Sequence, residues 1–194
     1  MSFDRTLRRS PLYRRPSKVG EQLTLVDLNH CPRIGFKGAD TVAWFANNEV
    51  AMPKQPNQAT KLGNGGLNAR LSANEFFLIE YQSEQNSTID TLRSEWSMDI
   101  PERTYLLERG DSHACFEITG DKAADCLAKI CGVDLQPHKF ANLELAQTSV
   151  GKLSAMVIRL DKKAQLSYLL LADITASEYL WGVVEDAATE FNKP

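Results

Sequence analysis

The chain has 194 residues, 43% hydrophobic and 24% charged, ordinary globular values that exclude a wholly disordered or collagen-like chain. Its net charge of −3 removes the global basic field of a nucleic-acid binder, and no apolar run approaches the roughly 20 residues of a membrane helix. Cys31, Cys115, Cys126 and Cys131 are too sparse for a disulfide scaffold, and without a secretory signal the expectation is reduced thiols in a cytoplasm.

Residues 1–18 carry Arg5, Arg8, Arg9, Arg14, Arg15 and Lys18 against Asp4 alone, a net of +5, which leaves −8 for the remainder. Residues 1–20 therefore read as a basic N-terminal arm. Such runs are solvated or lie on a partner. Pro11 and Pro16 count against the amphipathic helix of a mitochondrial transit peptide, and nucleic-acid contact lacks an accompanying stacking platform. The arm is expected to be dispensable for stability.

Gln22 to Leu28 reads as a strand and Arg33 to Lys37 as a second. Gly38 breaks the run, and Ala39, Val42, Ala43 and Ala46 then share one side of a helix, with Trp44 and Phe45 widening its apolar face. A polar loop at Pro53 to Gln58 leads to a hairpin signal at Gly63 to Gly66. Phe76 to Tyr81 is an apolar strand. Ser87 and Asp90 stand at capping-box spacing ahead of Ile89, Leu92 and Trp96, which predicts a helix to about Met98.

The second half repeats this order. Ala114 to Ile118 is a strand, Gly120 the break, and Ala123, Leu127, Ile130 and Cys131 the buried stripe of a helix. Gly132 stands where a left-handed C-terminal cap belongs. Phe140 to Leu153 reads as a long strand bent near Gly151. Ala155 to Leu160 is expected to pair with Leu166 to Leu171. Thr175 and Glu178 form a second capping box before a helix striped by Leu180, Val183, Val184, Ala187 and Phe191. Setting Ile34–Val42 over Phe116–Ala124 aligns Gly38 with Gly120 at an offset of 82. Further on, Phe76 to Ile79 answers Tyr168 to Leu171, and Trp96 answers Trp181. The sequence thus predicts two α+β half-domains, 21–103 and 104–194.

Few residues suggest chemistry. One glycine per strand-to-helix junction, Gly38 or Gly120, is no phosphate-binding fingerprint. His113, Cys115, Cys126 and Cys131 lack the spacing of a zinc knuckle, and the cysteines suit a core, so no metal site is expected. Cys31 adjoins His30, but neighbours in a strand point to opposite faces. His138 has no nucleophile beside it. Glu75, Glu80, Asp161 and Asp173 fit strand ends and turns, where carboxylates are solvated. No catalytic residue is assigned and the cofactor-binding residues stay unknown, which favours a binding or assembly module.

Several segments together resemble the gamma subunit of bacterial heterotetrameric sarcosine oxidase. They are Arg9-Ser10-Pro11-Leu12, Asp27-Leu28-Asn29-His30-Cys31-Pro32-Arg33-Ile34-Gly35-Phe36-Lys37-Gly38, Pro56-Asn57 to Gly65-Gly66-Leu67, Asp111 to Gly120, Cys126 to Lys129, and Gln147 to Val150. That family is part of a folate-binding superfamily that includes the glycine-cleavage T protein. The resemblance implies a duplicated α+β fold whose halves exchange their first strands. It implies a cytoplasmic, non-catalytic subunit with alpha and beta flavoprotein partners, and neither nucleic acid nor membrane as partner. FAD, FMN, NAD and tetrahydrofolate then belong to the complex and none to this chain. The complex oxidises sarcosine to glycine, passing the one-carbon unit to tetrahydrofolate and electrons to oxygen. In T-protein enzymes an acidic pair follows a Gly-Gly turn, in the form G-G-x-x-D-D. The matching stretch here is Gly65-Gly66-Leu67-Asn68-Ala69-Arg70, so both carboxylates are absent. The K-G-C-x-x-G-Q segment of related iron–sulfur-assembly proteins is also missing. The alternatives are a free-standing folate- or pterin-binding protein and a T-protein-like aminomethyltransferase.

Overall fold

Strands whose inner members are buried along nearly their whole length build two antiparallel sheets, each with helices packed on one face. The computed structural model describes residues 10–12, 17–20, 22–63, 65–81, 87–162 and 165–191. In chain order the strands are β1 (Lys18–Val19), β2 (Thr24–Asp27), β3 (Arg33–Lys37), β4 (Gln58–Lys61), β5 (Gly66–Ser72), β6 (Glu75–Glu80), β7 (Tyr105–Glu108), β8 (His113–Thr119), β9 (Leu145–Val150), β10 (Leu153–Arg159) and β11 (Ser167–Asp173). The helices are α1 (Thr41–Asn47), α2 (Thr88–Glu95), α3 (Ala123–Ala128) and α4 (Ser177–Ala188). One sheet runs β1-β2-β8-β11-β10-β9 and the other β4-β5-β6-β3-β7. The chain forms two compact units, Cys31–Asp111 and the pair of segments Met1–His30 with Ser112–Pro194.

In the unit Cys31–Asp111, β3 lies between β6 and β7. Phe36 lies opposite Phe76 on one side and Leu106 on the other. Phe36, Trp44, Phe45 and Phe76 pack ring against ring, with centroids 4.8 Å apart for Phe36–Trp44 and 4.9 Å for Phe45–Phe76. The buried face of α1 is Thr41, Trp44 and Phe45, not the expected stripe of Ala39, Val42, Ala43 and Ala46. Two large aromatics remove far more apolar area from water than four small side chains, so they set the helix rotation. Helix α2 starts as expected, with Ser87 Oγ accepting from Asp90 N at 3.0 Å.

In the other unit β8 is central, and Ile118 lies opposite Tyr168 and Leu25. Trp181 of α4 is fully buried against Phe116, centroids 5.3 Å apart and edge-to-face. Three local expectations are corrected here. Gly132 is not among the positive-φ residues; α3 ends at Ala128, and Cys131 bridges to Val150 instead. The long strand 140–153 is a loop followed by β9, and Gly151 and Lys152 (φ 55° and 69°) make a tight hairpin turn to β10. Two successive positive φ values match the right-handed twist of the strands they join. Finally, Thr175 caps nothing. Asp173 accepts from Thr175 N at 2.8 Å and opens a 3₁₀ turn ahead of α4. The expected pairing of β10 with β11 holds.

The internal repeat is visible in the registers. Ile118 opposite Tyr168 and Leu25 matches Phe36 opposite Phe76 and Leu106, so β8, β11 and β2 correspond to β3, β6 and β7. Strand β2, early in the chain, joins the sheet of the second half. Strand β7, which follows the first half, joins the sheet of the first. The halves thus exchange their first strands, and the compact units differ from the contiguous stretches 21–103 and 104–194 for that reason. At each exchange the chain passes against a glycine. A Cβ on Gly120 would stand 2.1 Å from Gln22 O, and one on Gly38 would stand 2.0 Å from Arg103 O. Both glycines also have φ values, +134° and +157°, that L side chains rarely adopt.

The arm is tied down at its described part. Leu12 is 2% exposed within the hydrophobic core of its unit. Ser10 Oγ donates to Asp27, Asn29 Nδ2 donates to Asp27 Oδ1 at 2.7 Å, and Asn29 Oδ1 accepts from Cys115 N at 2.9 Å. The expectation of a dispensable arm is therefore corrected: a buried leucine and a shared carboxylate anchor it. Residues 1–9 and 13–16 of the arm lie outside the described residues.

Gly120→Val and Gly38→Val should each destabilise by about 3 kcal/mol or more, because strain and a backbone clash add. Urea titration with an unchanged slope and unshifted midpoint would refute this. Leu12→Ala should cost about 2–4 kcal/mol, whereas a dispensable arm predicts no change in the same titration.

Candidate functional site

The positions after the Gly-Gly turn lie on β5. Gly65 (φ 81°) turns the chain between β4 and β5. Strand alternation then sends Ala69 and Arg70 to opposite faces. Ala69 is 1% exposed and sits between Ala59 and Phe77 in the ladder, where it packs and offers no polar atom. Arg70 lies opposite Phe76, its guanidinium 5.3 Å from the ring centroid. Its Nη1 donates to Pro53 O at 3.1 Å and Lys54 O at 2.8 Å, its Nη2 to Ala73 O at 2.6 Å and its Nε to Ser72 O at 3.3 Å. The planar fork thus binds the loop 53–54 to the β5–β6 turn through four backbone carbonyls, leaving little of its donor capacity for a ligand. Beside it, buried Asn68 donates from Nδ2 to Ala51 O at 3.0 Å and holds the same loop. The residues present do not fit a folate-dependent transfer site.

The four acids singled out from sequence all have structural partners. Glu75 pairs with Lys37 (2.9 Å) and Arg109 (2.8 Å). Asp161 pairs with Arg159 at 2.6 Å. Asp173 has its carboxyl held below the usual range, chiefly by the hydrogen bond from the Thr175 side chain. Glu80 is a correction to the solvated reading. It is 2% exposed and accepts from Ser87 Oγ at 2.6 Å and from Ile89 N at 3.0 Å. An N-terminal amide of α2 therefore replaces the water it would otherwise bind.

Among the histidines, His113 faces Asp173 across the β8–β11 ladder, and Ser112 Oγ lies 2.8 Å from its Nδ1. Serine and histidine are sequence neighbours, and Asp173 is occupied with capping the 3₁₀ turn, so this is not a nucleophile–base–orienter arrangement. None of the four cysteines is in a disulfide, and all four are buried. Burial pushes the Cys126 thiol up to about 11, which makes it inert rather than nucleophilic. Among the described residues no cluster of three or more His, Cys, Asp or Glu is placed to hold a metal ion.

Sequence reading missed one polar network. Glu117, 6% exposed in the middle of β8, pairs with Lys162 Nζ at 2.6 Å and accepts from Ser167 Oγ at 2.8 Å. The signal was a carboxylate inside the run Ala-Cys-Phe-Glu-Ile, since an isolated buried charge requires a partner. It also missed Arg33, fully buried, whose Nη2 donates to Gly110 O at 2.9 Å and so joins the start of β3 to the end of its unit. A groove of about 330 Å³ runs along β1, β2 and α4, lined by Val19, Gly20, Leu23, Leu25, Ile118, Val184 and Glu185 among others. No helix among the described residues is long and apolar enough to cross a membrane.

The duplicated sheets with exchanged strands define a fold class that comparison with solved structures identifies. No family model and no curated protein matches the sequence. Glycine cleavage system aminomethyltransferase T from Bartonella henselae superposes with a TM-score of 0.62 at 13% identity, over 84% of this chain and 45% of that one. A chain of the heterotetrameric sarcosine oxidase from Corynebacterium sp. U-96, solved in complex with pyrrole 2-carboxylate, superposes with a TM-score of 0.79 at 22% identity. That match covers 97% of this chain and 98% of the other. The protein therefore has the T-protein-like α+β fold that the sequence resemblance implied.

Arg70→Lys should destabilise by about 1–2 kcal/mol, because an ammonium cannot span four carbonyls on two segments. It should also speed proteolysis within residues 53–58. Unchanged stability and cleavage would mean that the fork is incidental.

Proposed function

We propose that this chain is a non-catalytic subunit, gamma in type, of a hetero-oligomeric sarcosine oxidase. The observation that carries this reading is the end-to-end match to a chain of that enzyme, with nearly complete coverage of both partners. A match confined to one domain of a longer enzyme leaves the role of the short chain open; one that covers 97% of this chain and 98% of the other supports the same role.

The site chemistry supports it as well. Buried Ala69 cannot accept a proton, and Arg70 is committed to backbone carbonyls. The groove along β1 and α4 has no aromatic residue among the described residues that line it, which counts against a pterin site. In this reading FAD, FMN, NAD and tetrahydrofolate are held by the larger alpha and beta subunits. The chain works in the cytoplasm as part of sarcosine catabolism and one-carbon metabolism. What its own residues supply is two compact α+β units with surfaces for those subunits.

Affinity-tagged chain recovered from its native cell should bring down two larger flavin-containing chains, and the recovered complex should consume oxygen when sarcosine is added. The purified chain alone should turn over neither sarcosine nor dimethylglycine in the presence of tetrahydrofolate. Turnover by the chain alone would overturn the non-catalytic reading in favour of the aminomethyltransferase. Stoichiometric folate on the isolated chain, with no flavoprotein recovered, would favour a free-standing folate-binding protein.

A further inference from the structure

Helix α4 ends against its own dipole. Its last turn holds Glu185 and Asp186 and no basic residue, and Glu190 stands just past its end. Carboxylates at a helix C-terminus are repelled by the carbonyls gathered there, and those last carbonyls need partners from outside the helix. One side chain answers both needs. Lys129, the residue that ends α3, donates from Nζ to Ala187 O at 3.1 Å and pairs with Glu190 Oε1 at 3.3 Å. Its ammonium also lies 5.7 Å from the centroid of the Phe191 ring.

The turn beyond Ala187 has few other holds. Thr189 N and Phe191 N donate to Asp186 O and Ala188 O, both at 3.1 Å, and Thr189 Oγ1 donates to Glu185 O at 3.0 Å. These bonds stay within the end of α4. Ala188 and Phe191 are only partly buried against the core. Among the described residues, the polar ties from this turn to α3 are both made by Lys129. An exposed ion pair alone contributes little, but here the same ammonium also satisfies a helix carbonyl. Segments with few buried contacts are the first to open.

Cys126 lies one turn further in. Its Sγ is 4.0 Å from Val184 O, and Val184 precedes Ala187 by the same three residues that separate Cys126 from Lys129. The side chain is fully buried. Burial first pushes its thiol up; beyond that Lys129 draws it down and Glu190 raises it, so both charges stand near the sulfur.

We propose that Lys129 is a charge-operated latch on the C-terminal turn of α4. With the ammonium seated, residues 187–191 stay closed on α3. With its charge removed, or drawn off by an outside anion, the turn opens and Cys126 becomes reachable. The Lys129 side chain is 39% exposed, so an anion in solution can compete for it.

The test is amide hydrogen exchange and iodoacetamide alkylation of the full chain, both resolved by site with mass spectrometry. In the alkylation the cysteine sulfur forms a C–S bond, iodide leaves with the electron pair of the C–I bond, and the thiol proton goes to solvent. Lys129→Gln should speed exchange at Thr189 and Phe191, and alkylation of Cys126, by about tenfold. Cys115, also fully buried in the same unit, should stay slow, which separates a local opening from global unfolding. Lys129→Arg keeps the charge and should behave as the unsubstituted chain. Sodium chloride at about 1 M, where the Debye length falls to roughly 3 Å, should move the unsubstituted chain toward the glutamine variant and leave that variant unchanged. Unaltered exchange and alkylation in Lys129→Gln overturn the proposal. So does equal acceleration at Cys115 and Cys126, which would assign the effect to unfolding of the whole unit. An arginine variant as open as the glutamine one also overturns it, because shape rather than charge would then hold the turn.

Discussion

Everything in this fold depends on two close backbone crossings at Gly38 and Gly120. At each, a strand from the other half of the sequence enters a sheet next to the strand that precedes the glycine. The carbonyl of Arg103 or Gln22 occupies the space a Cβ would need. The crossing is then tied on both sides. Gly38 N donates to Asn74 O and Gly120 N to Leu166 O, at 3.1 and 2.9 Å. In the unit Cys31–Asp111, Asp40 adds a bidentate hold on Arg103, and Thr41 Oγ1 meets Thr104 Oγ1 at 2.8 Å. Its carboxyl is held below the usual range, first by the Arg103 side chain. That contribution is present above the unfolded carboxylate value and fades as pH falls through the lowered one.

Polar residues of the segments that carry the resemblance, and Arg70 just beyond one of them, turn out to be fastenings. Ser10 and the pair Asp27 and Asn29 fasten the arm to β8 through Cys115 N. Arg33 fastens β3 to Gly110, and Arg70 fastens a loop to a turn. Each is a polar side chain satisfying backbone groups that no ladder reaches, which is the expected fate of buried polar groups.

The sequence by itself determined the apolar strands, the breaks at Gly38 and Gly120, the Ser87 cap and the duplication. These depend on neighbours in the chain or on a pattern repeated within it. Even the alignment of Phe76 with Tyr168 could be read, because both oppose equivalent residues of a central strand. The absence of a carboxylate at Ala69 and Arg70 was also legible, since it is a matter of composition.

Only the tertiary structure decided what those residues do. Which face of α1 is buried, whether Glu80 is solvated, and what the Arg70 guanidinium reaches depend on groups brought near from elsewhere in the chain. Local propensity carries no information about them. The same holds for the arm: its prolines and charge describe an isolated segment, whereas Leu12 is held by a core assembled from Leu23, Phe116 and Leu170. Burial is a property of the whole fold, decided by segments that are distant in sequence.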